Sequence, residues 1–231
     1  MISIQRSQSL QKQVYQALKQ IILRGDLPSG ERIVETKLAK QLQVSRTPIR
    51  EAIGQLKREK LIVSRSNGGF RVATLSIQDA IQLYDCRIAL EQLSIGDACE
   101  QITPKRLKQL EKYVLLAEKL LESKSGKSNC WQLLEVDYQF HHLIAESSGN
   151  QWLLTLLEQV FDQMRLLRVY TTKHNPGVLE IRLEHRQIYE AIALRNPDLA
   201  KTTIREHLTA SKARVVRELE IINEVETTLD K

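Results

Sequence analysis

Apolar residues recur along most of this chain at three- and four-residue spacing, the period of a helix with one buried face. Val14, Leu18, Ile21 and Ile22 mark such a helix over about 9–24, and the run Gly25-Asp26-Leu27-Pro28-Ser29-Gly30 stops it. A short second helix over about 34–42 places Leu38 and Leu42 inward, and Gln43-Val44 makes a turn. Ser45 is a natural N-cap for a third helix over about 46–59, with Pro48 in its first turn and Ile49, Ile53 and Leu56 as its buried stripe. Two β-prone runs follow, Leu61-Ile62-Val63-Ser64 and Phe70-Arg71-Val72. They are joined by Ser66-Asn67-Gly68-Gly69, the pattern of a hairpin.

Beyond residue 75 the pattern stays helical. Ser76-Ile77-Gln78-Asp79 reads as a capping box. Thr103-Pro104 and Asn196-Pro197 each put a capping residue before a proline at the first helical position, and Asn150 after Gly149 can cap another helix. Helices are expected at about 77–101, 104–123, 129–147, 151–171, 177–195 and 197–227, enough for a bundle. The loop Ser123-Lys124-Ser125-Gly126-Lys127-Ser128 ends in GKS but lacks the upstream glycine and the preceding strand of a phosphate loop. The expected fold class is therefore mainly α. Residues 1–74 form a winged helix-turn-helix (three helices plus a small β-hairpin wing), and an all-α helical bundle follows over 75–231.

Composition supports this reading. Of 231 residues, 42% are apolar, 27% charged and 5% aromatic, the mix of an ordinary globular protein rather than a disordered or fibrous one. No apolar run reaches the roughly 18–20 residues of a membrane span, and the first residues lack a signal-peptide core, so a cytoplasmic protein is expected. Cys86, Cys99 and Cys130 are odd in number and widely spaced, which points to reduced thiols in or near the core. Charge is uneven. Residues 1–74 carry 14 Lys and Arg against 5 Asp and Glu, and residues 75–231 carry 20 against 23, giving the overall +6. All the excess positive charge sits in the first third of the chain, the footprint of a nucleic-acid binder.

Two sets of side chains carry candidate chemistry. Arg46 and Arg50 lie four apart at the start of the third helix, opposite Ile49 and Ile53. Arginine matches the paired acceptors of guanine, and the helix start favours a phosphate. In the bundle, Asp137 and His141 share a helical face with Leu133, Leu134 and Ile144. His185 lies on the stripe of Ile181 and Ile188, and His207 follows Ile204 and Ala200. Three inward histidines and a carboxylate from three helices are costly to bury without a partner, and a divalent metal ties them together. Zinc, nickel, iron and manganese all suit this set, zinc and nickel foremost. His142 and His174 are expected to be exposed.

The stretch Gly25–Arg32, Leu38-Ala39 and Val44-Ser45-Arg46-Thr47-Pro48-Ile49-Arg50-Glu51-Ala52 closely resembles the DNA-binding domain of GntR-family transcriptional regulators. That resemblance implies a homodimer on a palindromic double-stranded DNA operator. It implies base contacts by Arg46 and Arg50, base or backbone contacts by Thr36, Ser45 and Thr47, and a wing tip, Asn67, Gly68 and Gly69, in the minor groove. Lys60 departs from the glycine that many relatives have before the wing, which should alter only the local turn. More loosely, Arg87–Glu91, Asp137–His141, Ser148-Gly149-Asn150, Glu184–Ile188 and Glu206-His207-Leu208 resemble the effector domain of the FadR-like branch. This resemblance implies a metal held by Asp137, His141, His185 and His207, with a small carboxylate effector near Arg87 and Asn150. Arg87 has a structural alternative, an ion pair with Glu91.

Three functions follow. The first is a DNA-binding regulator, a repressor by preference, whose operator affinity responds to a small carboxylate. The second is a repressor with a purely structural metal and no effector. The third is a metal-dependent hydrolase with Glu184 or Glu206 as general base, although each adjoins a metal position and is expected to point away from it.

Overall fold

The computed structural model describes residues 10–65, 68–122, 128–179 and 182–229. The chain divides into two compact units, Met1–Thr74 and Leu75–Lys231. In the first unit, α1 (Leu10–Leu23), α2 (Glu35–Gln41) and α3 (Arg46–Arg58) enclose a core in which Leu18, Ile22, Ile49, Leu56 and Leu61 are fully buried. The three-residue strands β2 (Ile62–Ser64) and β3 (Phe70–Val72) pair antiparallel, Ile62 opposite Val72 and Ser64 opposite Phe70. A third strand was not anticipated: β1 (Arg32–Ile33) pairs with the other edge of β3, making the order β1-β3-β2. Two residues are too few to show a period of their own, so only the ladder with β3 reveals this strand.

Three helices end on a non-glycine residue in the left-handed region: Gln43 (φ 54°) after α2, Lys60 (φ 59°) after α3, and Arg195 (φ 54°) later in the chain. Each is followed by the same closing bond. Val44 N donates to Ala39 O, Leu61 N to Leu56 O and Asn196 N to Ala191 O, at 3.0, 3.0 and 3.2 Å. These are the bonds of a Schellman stop, which glycine normally occupies. Lys60 therefore occupies the place that glycine normally takes in such a stop, and carries the strain of a side chain there. Ser45 has the extended backbone of an N-cap (φ −70°, ψ 168°), but its hydroxyl makes no capping hydrogen bond, against expectation.

The second unit holds α4 (Ile77–Gln101), α5 (Pro104–Glu122), α6 (Ser128–Ser147), α7 (Gln151–His174), α8 (Arg182–Ala193) and α9 (Pro197–Leu229). The anticipated caps form. Ser76 Oγ accepts from Asp79 N while Asp79 Oδ2 accepts from Ser76 N, at 3.1 and 2.9 Å. Asn150 Oδ1 and Asn196 Oδ1 accept from Leu153 N and Leu199 N, at 3.0 and 3.1 Å. The helix expected at 177–195 is instead a short 3-10 turn, Pro176–Leu179, and then α8. Asn175 ends α7 and its Oδ1 accepts from Gly177 N at 2.9 Å, which locks a turn where the helix would have begun.

Helices α4 and α9 run along each other, and α6 and α8 close the core around Ile95, Phe140, Ile188 and Ile204. In a second apolar cluster, with Met164, Leu167 and Val215, the Tyr84 hydroxyl meets Ser211 Oγ at 2.8 Å, joining α4 to α9. Cys99 is buried and Cys130 half-buried, but Cys86 is exposed, because its position on α4 faces away from the core that flanks it. Burial pushes the Cys99 thiol up to about 11. Among the described residues no helix is long and apolar enough to cross a membrane.

Replacing Lys60 by glycine removes the left-handed strain at the cost of some chain entropy. Lys60→Gly should stabilise the first unit by about 0.5–1 kcal/mol, read as a higher calorimetric midpoint. A lower midpoint would show that the lysine side chain makes a compensating contact.

Candidate DNA-reading face and candidate metal centre

The first unit buries one stripe of α3 and leaves the other to solvent. Ile49, Ala52, Ile53 and Leu56 face the core. Arg46 and Arg50 stand on the opposite side with 55% and 60% of their side chains exposed. Thr36, Ser45 and Thr47 are also exposed. The sequence did not point to Glu35, at the start of α2, whose Oε2 accepts from Arg50 Nε at 2.7 Å and from Arg46 Nη2 at 3.2 Å. The Arg50 bond, helped by Arg46 and opposed by partial burial, holds the Glu35 carboxyl below its ordinary range. One carboxylate thus gathers both arginines over the N-terminus of α3. At the wing, Gly68 and Gly69 are exposed with φ of 81° and 84°, a backbone that only glycine adopts freely. Asn67 lies outside the described residues.

In the second unit the four expected residues converge. One ligand atom from each of Asp137, His141, His185 and His207 lies within 4.8 Å of all the others, and all four residues are buried. Helix α6 supplies Asp137 and His141 one turn apart, α8 supplies His185 and α9 supplies His207. Asp137 Oδ1 lies 3.5 Å from His185 Nε2 and 4.0 Å from His141 Nε2. His141 Nε2 and His207 Nε2 face each other at 3.2 Å.

Each element of this cluster is held from behind. His141 Nδ1 meets Glu91 Oε2 at 2.6 Å, and Arg87 Nε donates to the other oxygen of Glu91. His207 Nδ1 meets Glu184 Oε2 at 2.7 Å, and Arg214 grips both oxygens of Glu184 at 2.8 and 2.9 Å. Asp137 Oδ2 accepts from Arg168 Nη1 on α7. His185 has no such partner and stacks on Phe140, ring centroids 4.2 Å apart. Glu184 corrects the sequence reading. It does not turn away from the cluster but crosses from α8 to hold a histidine of α9, so it is not free to act as a base. Glu206 is exposed. Arg87 forms the ion pair weighed as its structural alternative and also borders the cavity beside the cluster. Asn150 spends its side-chain oxygen on the cap of α7 and is not among the residues lining that cavity. His174 is exposed as expected, while His142 is half-buried, contacting Glu158 at 3.4 Å and Tyr138.

The electrostatics favour neutral imidazoles beside ionised acids. Burial is the main force lowering His207 to about 4 and His185 well below its usual value. For Glu91 and Glu184 burial pushes upward, but Arg87 and His141 on one, and His207 and Arg214 on the other, outweigh it and bring both to about 2. Burial is likewise outweighed at Asp137, chiefly by Arg168, leaving that carboxyl far below the carboxylate range. A carboxylate oxygen engages Nδ1 of both His141 and His207, which turns their Nε2 atoms toward each other and toward Asp137. Among the described residues Asp137 Oδ1 and His185 Nε2 have no hydrogen-bond partner at all. Buried acceptors that converge and lack donors are the arrangement a cation satisfies, and nitrogen with one carboxylate oxygen suits a divalent transition metal.

Residues 10–72 match the family described as "Bacterial regulatory proteins, gntR family", and residues 82–210 match the FCD domain. The HTH-type transcriptional regulator YdhC of Bacillus subtilis is 34% identical over 197 residues, 84% of this chain and 86% of that protein. The HTH-type transcriptional repressor GlaR of Escherichia coli is 27% identical over 207 residues, 84% of this chain and 90% of its own. Among solved structures, Escherichia coli McbR/YncC shares the fold with a TM-score of 0.77 at 23% identity, covering 94% of this chain and 99% of the other. The chain belongs to the GntR family and carries an FCD domain. It is a transcriptional regulator, not an enzyme, and its winged helix-turn-helix binds DNA.

The lowered His207 and Glu184 values set a pH dependence in the metal-free protein. Between about 4 and the ordinary 6.5 of histidine, the unfolded chain binds a proton that folded His207 refuses, so stability present above pH 6.5 is lost on acidification. Glu184 adds a loss of the same sign between its ordinary 4.5 and about 2. Both tryptophans, Trp131 and Trp152, lie in the second unit, so their fluorescence follows its melting alone. The midpoint should fall from pH 6.5 downward, and a rise would mean that Glu184 holds His207 as an imidazolium.

Proposed function

We propose that this regulator is a homodimeric repressor of a palindromic operator, and that a small carboxylate binding beside a divalent metal in the helical unit alters its grip on DNA. The observation that carries the sensing half is the buried cluster of Asp137, His141, His185 and His207, whose acceptors converge without donors. These four residues would hold the metal, zinc or nickel foremost, and when bound it supplies a Lewis-acidic point to which an acid's oxygen is drawn. The chain's own groups do the rest. Glu91 and Glu184 engage Nδ1 of His141 and His207 and so orient their Nε2 atoms to the cluster, and Phe140 stacks on the ring of His185. Arg87 borders the adjoining cavity and offers positive charge to the incoming acid. That cavity favours an effector over a purely structural metal.

In the first unit, Arg46 and Arg50 read base edges from the major groove, Thr36, Ser45 and Thr47 anchor the backbone, and Gly68 and Gly69, with Asn67, enter the minor groove. The 14-to-5 excess of cations over anions in residues 1–74 supplies the salt-dependent attraction that such contacts build on. The repressor sense follows GlaR, whose name states it. Ligand binding acts as a population shift between states of different operator affinity.

Two variants separate the halves. Arg50→Ala should weaken binding to the operator by about 1–3 kcal/mol, measured by fluorescence anisotropy at fixed salt, without changing metal content. Undiminished operator binding would remove Arg50 from the reading face. His185→Ala should lower bound metal by elemental analysis while leaving the first unit folded. Full metal content in that variant, with no acid altering DNA affinity, would sink the sensing mechanism.

A further inference from the structure

Beside the cluster lies a cavity of about 20 Å³, lined among others by Asp137, His141 and Arg87 and by Arg165 and Arg168. The two last arginines come from α7, three residues apart, and both are buried, with 8% and 3% exposure. Neither is fully used. Arg168 gives Nη1 to Asp137, but its Nε and Nη2 have no hydrogen-bond partner. Those two atoms form one edge of the guanidinium, the fork that receives a carboxylate through two parallel bonds. Arg165 gives Nη2 to Glu135 at 2.5 Å and leaves its Nε without a partner. Its plane is fixed between the rings of Trp131 and Tyr138, 4.7 and 5.3 Å from the guanidinium carbon. Buried guanidinium N–H groups without acceptors are expensive, and here three of them belong to two arginines that line one space.

The charges around that space balance in pairs. Arg87 offsets Glu91, Arg168 offsets Asp137 and Arg214 offsets Glu184. These ion pairs leave no surplus negative charge at the cluster, and a divalent cation placed there adds two positive charges away from water. A buried double charge of this kind calls for two negative charges close by.

We propose that this cavity receives a small acid with two anionic groups. One is directed at the Asp137–histidine cluster beside Arg87, and the other is held by the free Nε–Nη2 edge of Arg168 together with Nε of Arg165. This deepens the effector reading above and rests on it. The cavity as it stands has room for about one water, so an acid enters by parting Arg165 from Glu135, whose side chain is 38% exposed. The freed guanidinium then turns from a surface carboxylate to the ligand's own, exchanging one ion pair for another.

Calorimetric titration of the zinc-reconstituted full chain with acetate, malonate, succinate and methyl phosphate tests this. A diacid should bind at least about tenfold more tightly than acetate, the worth of one charge-assisted hydrogen-bonded pair. Arg165→Gln, which leaves the half-exposed Glu135 with the bond from Gln139, should raise the diacid Kd about tenfold at unchanged zinc content. Arg168→Lys, which keeps a cation beside Asp137 but loses the fork, should narrow the diacid-to-acetate affinity ratio by about tenfold, a ratio that a disturbance of Asp137 alone would leave in place. Equal affinity for acetate and both diacids overturns the proposal, as does methyl phosphate matching the diacids, since one doubly charged head would then suffice. A chain that holds zinc and acetate yet ignores the second acid group loses this proposal alone. A chain that holds no zinc loses the effector reading as well.

Discussion

Burying three histidines and three carboxylates inside a helical bundle is costly unless each polar atom finds a partner, and the helical unit is organised around meeting that cost. The solution is a relay. Arg87 holds Glu91, Glu91 holds His141, His141 faces His207, His207 is held by Glu184, and Glu184 is gripped by Arg214. Asp137 and Arg168 add a branch. The chain of contacts passes through α4, α6, α7, α8 and α9, so a change at the centre is felt by five helices. The exceptions to satisfaction are few and lie together. Asp137 Oδ1 and the ring of His185 belong to the cluster, and the spare N–H groups are those of Arg165 and Arg168, which line the cavity beside it. A structure that satisfies its polar groups elsewhere and leaves converging ones open is shaped for something to fill them.

The DNA-binding unit works under a different constraint. It is small, its apolar core is confined to one stripe of each helix, and most of its cations are left at the surface. Glu35 restrains two of them. A surface ion pair contributes little stability, but a single carboxylate shared by Arg46 and Arg50 brings both side chains to one place before any DNA arrives. The three-stranded sheet anchors the wing by pairing β3 on both edges, which leaves the turn at Gly68 and Gly69 projecting from a fixed base.

Much of this was legible in the order of residues because the relevant forces are local. Helix stripes, the Ser76 capping box, the Asn150 and Asn196 caps and the hairpin around Gly68-Gly69 depend on neighbours within a turn or two, and a single chain displays them. The inward placement of Asp137, His141, His185 and His207 was legible for the same reason, since each sits on its own helix's apolar stripe. Local signals also misled. A capping bond from Ser45 and a helix beginning at Gly177 were both plausible from propensity, and backbone geometry overruled them.

What only the folded chain decided were the pairings between elements distant along it. Nothing near Glu184 says that it reaches His207 rather than turning outward, and nothing near Arg168 says that it meets Asp137, 31 residues away. Strand β1 exists only against β3, and Glu35 matters only because α2 crosses in front of α3. The amino-acid order thus determined which side chains turn inward, through helical period and caps. The packing of one helix on another determined which of them touch, because a hydrogen bond between remote residues depends on distances that no periodicity records.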